Sequence, residues 1–432
     1  MALSILDNAI LGVAGFSNKF VGEKYKLFMA YELPGQRSET VRRSNLSAIL
    51  RELHNRGPVS RSELGTRTGL TRSAVRGLIG ELALAGLVSE ERGTPQGTPG
   101  RPSPLVRPSP RCGIVLALEI TVDSLAVAAV AIGGEVLDVV RLDRPRDRGS
   151  VDETVADLAA LARAVLRRLP DTDGMISIGV GVVGIVRRDA GVVTMAPNLG
   201  WRDVPLAERL ADALGTSLPI AVANEADLGA LAELRRGAAV GAQHVLFLSG
   251  EVGVGGGLII DGKPLTGARG FAGEVGHMPV NPDGRTCRCG SVGCWETEVG
   301  EGALLRRAGH PPDAGREEVE AVLSEAAAGS PDVLEALDAV GRWLGFGLAG
   351  LVNVFNPQVV VLGGLFGRIH PFVEARVQSE LDRLALPQAR EAVRLVPAAL
   401  GDDAPLIGAA ELAFEPLLAD PSLWTRSAVA TA

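Results

Sequence analysis

Aromatic residues are scarce, at 4% of 432 residues, with only two tyrosines. A core short of rings must be assembled from aliphatic side chains, and the chain is 46% hydrophobic. No apolar run approaches the ~18 to 20 residues that span a bilayer, so a soluble protein without membrane partners is expected. Cysteine is rare as well. Four in this length make no disulfide framework, and with three of them inside Cys287–Cys294 a reducing, cytoplasmic setting is expected. Lysine is nearly missing: Lys19, Lys24, Lys26 and Lys263 are four of the 43 basic residues. Three of those lysines and both tyrosines (Tyr25, Tyr31) lie in the first 35 residues, which look foreign to the rest. Residues 1–36 are therefore expected to be an extension of separate origin, an early start or an added leader, without the charged start of a secretory signal. A uniformly basic coat is also absent, since the formal net charge is −8.

The charge that is present is unevenly spread. Between Gln36 and Arg107 twelve Arg face six acids, a net of +6. The first 35 residues are neutral, so residues 108–432 must carry −14 to reach the overall −8. A small basic module on a large acidic body suggests that one part meets a polyanion and the other does not.

The basic module has helical punctuation. Leu46, Ile49, Leu50 and Leu53 fall on one face of a first helix that ends near Gly57-Pro58. Ser60 and Glu63 read as a capping box opening a short second helix. After the Gly69-Leu70 turn, Thr71 caps a third helix with Val75, Leu78, Ile79 and Leu82 on its apolar face and Gly86 at its stop. Two short helices joined by a glycine turn describe a helix-turn-helix, and the extended segment from Leu87 that turns through Gly93 to Gly100 has the form of a wing. Arg72, Ser73 and Arg76 stand near the start of the third helix, away from its apolar face. That is where a recognition helix touches base edges, and Arg suits guanine. Arg101, after the wing, could reach phosphate or the minor groove. Ser60, Arg61 and Thr71 complete the expected DNA-binding set.

The acidic body repeats itself. Gly113–Leu118 and Leu125–Val130 read as two strands about a turn, and the pattern recurs at His244–Leu248 and Gly256–Ile260, where Asp261-Gly262 signals a tight hairpin. Helical stretches follow each copy, among them Val151–Leu169 and Gly341–Val354. Two similar α/β halves imply two lobes with a ligand cleft between them.

The strongest local signal is His277 followed by Cys287, Cys289 and Cys294. Three thiols and an imidazole form a ligand set for tetrahedral zinc, with no position left for a substrate water, so the site is expected to be structural. Glu274 and Glu296 lie beside that clip, and Asn224-Glu225 sits in an apolar neighbourhood. Carboxylates and an amide converging on one cleft suit a polyhydroxylated ring, because each carboxylate accepts from hydroxyl groups.

These residues resemble the ROK family (repressor, open reading frame, kinase) over residues 37 to about 412. The matching runs are Ile178–Gly184, Pro197–Trp201, Asn224–Asp227, Gly253–Gly257, Gly270–His277, the cysteine clip with Glu296, and Asn356–Gly364. The resemblance implies an α/β, actin-like and ribonuclease H-like two-lobed ATPase fold, preceded by an α+β winged helix-turn-helix domain as in the repressor branch. It further implies that Asn224, Glu225, Glu274, His277 and Glu296 bind a sugar, with Asn198 beside them, and that His277 also serves the metal. A kinase of the family would carry a base Asp where this chain has Glu225. Its first phosphate loop would be Asp-x-Gly-Gly-Thr, where this chain has Glu119–Ser124 without glycine, and its second Gly-Thr-Gly is here Glu251-Val252-Gly253.

The division expected is a DNA-binding domain over 37–108, a sugar-sensing body over 109–415 with lobes at about 109–236 and 237–415, and a tail over 416–432. The function expected is a sugar-responsive transcriptional regulator, a repressor and not an enzyme, working with operator DNA as a homodimer or homotetramer. The alternative is an ATP-dependent sugar kinase of the same family carrying a DNA-binding domain.

Overall fold

A computed structural model describes residues 38–91, 103–110, 112–146, 149–170, 174–422 and 424. The expected extension (1–36), the turn of the wing, Arg101 and the end of the tail lie outside the described residues. Two compact units divide between Asn45 and Leu46, and the second carries all of the described sheets.

Helix α1 (Ser38–Arg56) ends at Gly57, which adopts φ 77°, and β1 (Val59–Ser60) leads into α2 (Arg61–Thr68) and α3 (Arg72–Leu84). Both expected caps form: Ser60 Oγ accepts from Glu63 N at 3.2 Å and Thr71 Oγ1 from Ala74 N at 3.3 Å. The reciprocal half of the expected capping box does not form, because the Glu63 carboxylate pairs with Arg67 one turn on, an i,i+4 ion pair. Strands β2 (Val88–Glu91) and β3 (Leu105–Pro108) join β1 in an antiparallel sheet of order β1-β3-β2, the described part of the wing.

The first lobe holds β4 (Ile114–Ile120), β5 (Ser124–Ala131), β6 (Val136–Asp143), helix α4 (Val151–Leu166), β7 (Met175–Val182), then β8 (Ile185–Arg187), β9 (Val192–Ala196), β10 (Trp201–Val204), α5 (Leu206–Leu214), β11 (Ile220–Asn224) and α6 (Glu225–Arg236). Its main sheet runs β11-β7-β4-β5-β6, with only β5 antiparallel to its neighbours. Strand β4 is buried throughout, as a strand covered on both faces must be. Ser150 and Glu153 form a complete capping box at the start of α4.

The second lobe repeats the plan with β12 (Val245–Gly250), β13 (Val254–Ile260), β14 (Lys263–Pro264), helices α7 (Glu296–Val299), α8 (Glu301–Arg307), α9 (Arg316–Ala327) and α10 (Pro331–Phe355), β15 (Val359–Gly363), α11 (Gly364–Leu384), α12 (Pro387–Ala392), β16 (Arg394–Pro397) and α13 (Ala404–Ala419). Its order, β14-β13-β12-β15-β16 with β13 antiparallel between its neighbours, matches the first sheet strand for strand. The hairpin at Asp261 (φ 52°) and Gly262 (φ 70°) forms where expected, both residues left-handed as a type I′ turn requires. Two such sheets in one chain are the duplicated ribonuclease H-like core of the actin-like fold.

Packing does not follow the lobe boundary expected at 236. Helix α6 belongs by sequence to the first lobe but buries Ala226, Ala230 and Leu234 with Phe247 and Ile259 of the second sheet. Gly257 makes this possible, since a Cβ there would overlap the carbonyl oxygen of Ala226. Helix α13 makes the opposite crossing. Its Ala409, Ala413 and Phe414 share a cluster with Val115 and Ala117 of the first sheet, and with Leu46, Ile49 and Leu53 of α1. The helix continues to Ala419 with Leu417 and Leu418 buried, past the expected start of the tail at 416.

Candidate functional site

The carboxyl ends of β7 and β11 face the β12–β13 turn across a cleft, the position where α/β sheets hold ligands. All six residues expected to contact a sugar (Asn198, Asn224, Glu225, Glu274, His277 and Glu296) line this one cleft. They share it with Thr121, Glu251, Gly253 and Arg288. Arg288 had no signal in the sequence; it lies between two cysteines of the clip and donates to Asn198 Oδ1 at 2.8 Å.

Asn224 is largely committed to the fold. Its Oδ1 caps α6 by accepting from Ala226 N at 2.8 Å and Asp227 N at 3.3 Å, and its Nδ2 donates to Gly184 O at 2.9 Å. One amide hydrogen remains for a ligand. Glu225, the first residue of α6, is held well above the usual carboxylate range by burial and then by Glu251, Glu119 and Glu274. Burial also raises Glu274, with His277 opposing.

The clip residues converge. The ligand atoms of His277, Cys287, Cys289 and Cys294 all lie within 4.8 Å of one another and could hold a metal ion. A tetrahedral ion with bonds of about 2.3 Å to sulfur and about 2.0 to 2.1 Å to nitrogen requires edges of roughly 3.8 and 3.6 Å. Cys289 Sγ to Cys294 Sγ measures 3.7 Å and Cys287 Sγ to His277 Nδ1 measures 3.8 Å. The donor set fits. Because Nδ1 faces the thiols, Nε2 is turned toward Glu274 at 3.9 Å. The geometry leaves Nδ1 free to face a metal and Nε2 to face the cleft. Cys287 Sγ also lies 2.8 Å from Glu296 Oε1, so the clip sets the position of a cleft carboxylate.

Two segments at the other end of the cleft differ in character. In the β4–β5 turn, Ser124 N donates to Thr121 Oγ1 at 2.9 Å and Thr121 N to Ser124 O at 3.0 Å, so those backbone donors are used within the turn. Asp123 accepts from Arg146 at 3.1 Å and Arg316 at 3.3 Å, and Arg146 reaches Glu301 of α8 at 3.0 Å. These ion pairs join the lobes. Burial raises Glu119 to about 8, with Arg141 at 3.6 Å opposing and Glu251 adding to the shift. Burial and then Asp123 raise Glu251 to about 7, against Arg316.

In the basic module Arg72, Ser73 and Arg76 are exposed on one side of α3, opposite buried Val75, Ile79 and Leu82. Among the described residues neither Arg72 nor Arg76 has an acidic partner at ion-pair distance. Arg61 is different: Glu90 of β2 holds its guanidinium, with both groups partly exposed. Ser60 and Thr71 are spent on caps.

The ROK family pattern matches residues 115–415. The chain is 29% identical to the xylose repressor of Bacillus spizizenii over 88% of its own length and 97% of that protein's. It is 31% identical to the glucokinase of Halalkalibacterium halodurans over 66% of its own length and 90% of that protein's. Among solved structures, a ROK family transcriptional regulator, a homologue of the E. coli MLC protein, superposes with a TM-score of 0.72 at 25% identity, covering 90% of this chain and 98% of the other. A ROK family glucokinase from Streptomyces griseus, in complex with glucose and AMPPNP, gives 0.62 at 29% identity, covering 70% and 99%. The glucokinases use nearly all of their own length and leave about a third of this chain unmatched; the two regulators extend across most of it.

Proposed function

This chain belongs to the ROK family, and from that membership we propose that it is a sugar-responsive transcriptional repressor. The observation that carries the reading is the match to xylose repressors over 88% of the chain, set beside a kinase match that stops at about two thirds. The cleft senses a sugar. Glu274 and Glu296 accept from its hydroxyl groups, His277 Nε2 and Arg288 donate, Asn198 takes part through Arg288, and Asn224 offers its one remaining N–H. Glu225, which burial and then Glu251, Glu119 and Glu274 hold well above the usual carboxylate range, faces the sugar beside Asn224. The relatives' names point to a pentose or hexose of the xylose and glucose type.

The clip holds a structural zinc through His277, Cys287, Cys289 and Cys294, supplying a rigid wall to the cleft and no open coordination site. Arg72, Ser73 and Arg76 read bases, and Arg61 and Arg101 contact the DNA backbone, the former on release from Glu90. The protein works in the cytoplasm as a dimer or tetramer on a paired operator.

Phosphoryl transfer is not part of this reading. Catalysis there depends on donors that position and neutralise phosphate. Two backbone donors of the β4–β5 turn, Thr121 N and Ser124 N, are used within it, and Asp123 and Glu251 add acids at that end of the cleft. The test is selection of duplexes from a randomised DNA library by the purified chain, followed by gel shifts with D-xylose and D-glucose. Failure to select any sequence would overturn the repressor reading.

A further inference from the structure

Helix α6 touches the cleft at one end and the DNA-binding module at the other. Its cap Asn224 and first residue Glu225 line the cleft. Its last turn carries Arg235 and Arg236. Arg236 donates to Gly133 O at 3.0 Å and to Glu411 of α13, and its Nη2 lies 2.9 Å from His54 Nε2 of α1. Arg235 donates to Glu415 at 3.2 Å, and the other oxygen of that carboxylate accepts from Arg51 of α1 at 2.9 Å. One carboxylate of α13 therefore bridges α6 to the first helix of the basic module.

The helix between those ends has no slack. Every residue from Ala226 to Leu234 is buried. A Cβ at Gly229 would overlap the Phe247 ring. Twelve residues at 1.5 Å each make a rod of about 18 Å. In a core packed like a crystal, a displacement imposed on one end of such a rod is carried to the other and is not absorbed along the way.

We propose that α6 transmits occupancy of the cleft to the DNA-binding module, with Arg235 and Arg236 as the positioning residues that deliver its movement to α1 through Glu415, Glu411 and His54. This rests on the sugar-responsive reading above and assigns its regulatory element.

The experiment uses the full chain, D-xylose and D-glucose as probes, and a duplex that the wild-type protein selects from a randomised library. In Arg235→Ala and Glu415→Gln the sugar-induced change in duplex affinity should fall at least fivefold, while sugar affinity and sugar-free duplex affinity each stay within about threefold of wild type. Arg235→Lys, which keeps a charge for Glu415, should restore most of the response; a purely structural role would not sort the variants this way. A full response in both uncoupled variants overturns the proposal alone. A wild-type protein that binds its duplex and a sugar independently overturns the functional reading with it. Hydrogen exchange on the wild-type chain gives a second check that needs no variant: adding the sugar should change protection in both Glu225–Arg236 and Leu46–Arg56. Unchanged exchange in the latter would also overturn it.

Discussion

His54 Nε2 lies 2.9 Å from Glu411 Oε2 inside the protein, where both side chains are almost fully buried. Gly133 N donates to His54 Nδ1 at 3.0 Å, which leaves the ring's proton on Nε2 and makes it the donor to Glu411. Burial alone would raise the Glu411 carboxyl, but His54 and Arg236 outweigh it and hold it at about 2. The basic module is thus joined to the body by a buried polar cluster inside a shared apolar core. Truncating one partner strands the others. His54→Ala should lower stability by about 3 to 5 kcal/mol, the cost of breaking a buried pair. A denaturation midpoint equal to wild type would show that the cluster contributes nothing.

Metal removal should be costly. Freshly purified protein should contain about one zinc per chain, and Cys289→Ser should lose it together with thermal stability, because binding free energy of a structural ion is folding free energy. Sugar affinity should fall in the same variant, since Arg288 lies within the clip and Glu296 closely follows it, and both line the cleft. Elemental analysis without zinc would exclude the assignment.

DNA reading should depend on α3. Arg72→Ala and Arg76→Ala should each cost about 1 to 3 kcal/mol of affinity for the selected duplex at fixed salt. Arg61→Ala should cost less, because Glu90 competes for that guanidinium. Equal affinity in all three variants would move the reading surface elsewhere.

No phosphoryl transfer should be seen. In a coupled assay with ATP, magnesium and a sugar shown to bind, turnover should stay far below about 1 per second, a slow but ordinary enzymatic rate. Reaching that rate would favour the kinase alternative.

Stability should decline as pH rises through neutrality. Glu119 keeps its proton in the folded state to about 8, whereas the unfolded chain releases it near 4.5. Between those values the folded state binds more protons, so the stabilisation present below 4.5 is lost by about 8. Glu251, with its folded value near 7, acts in the same direction. The groups facing Glu119 are Arg141, which opposes the shift, and Glu251, Asp402 and Asp403, which add to it. Glu119→Gln should raise the melting temperature at pH 8 by on the order of 2 to 4 °C and change it little at pH 5. A constant difference across that range would remove Glu119 as the titrating group.

Signals confined to a few neighbouring residues were legible in the sequence. Ser60 and Thr71 are caps because their hydroxyls need reach only three residues on, and Asp261-Gly262 turns because two consecutive residues accept positive φ. The cleft was legible through motif resemblance, which named all six expected residues. What depends on distant pairing was not. His54 and Glu411 stand 357 positions apart, and nothing local marks either as a partner. The crossing of α6 and α13 between lobes was hidden for the same reason, since an amphipathic pattern states that a face is buried and not against what. Asn224 was read as a ligand contact, while most of its hydrogen-bonding capacity goes to capping α6 and holding Gly184 O. Nothing local marked Arg288, whose contact with Asn198 spans 90 positions.

The ion pairs from Asp123 through Arg146 to Glu301, with Arg316 alongside, have a consequence for what the protein can report. Here the two lobes are braced by groups encoded in the chain, so the reference state of the sensor is fixed at synthesis. On the reading proposed above, such a device should answer to sugar and not to nucleotide. Starved and well-fed cells with the same free sugar should show the same operator occupancy, and ATP or ADP with magnesium should leave the sugar response of the purified protein unchanged.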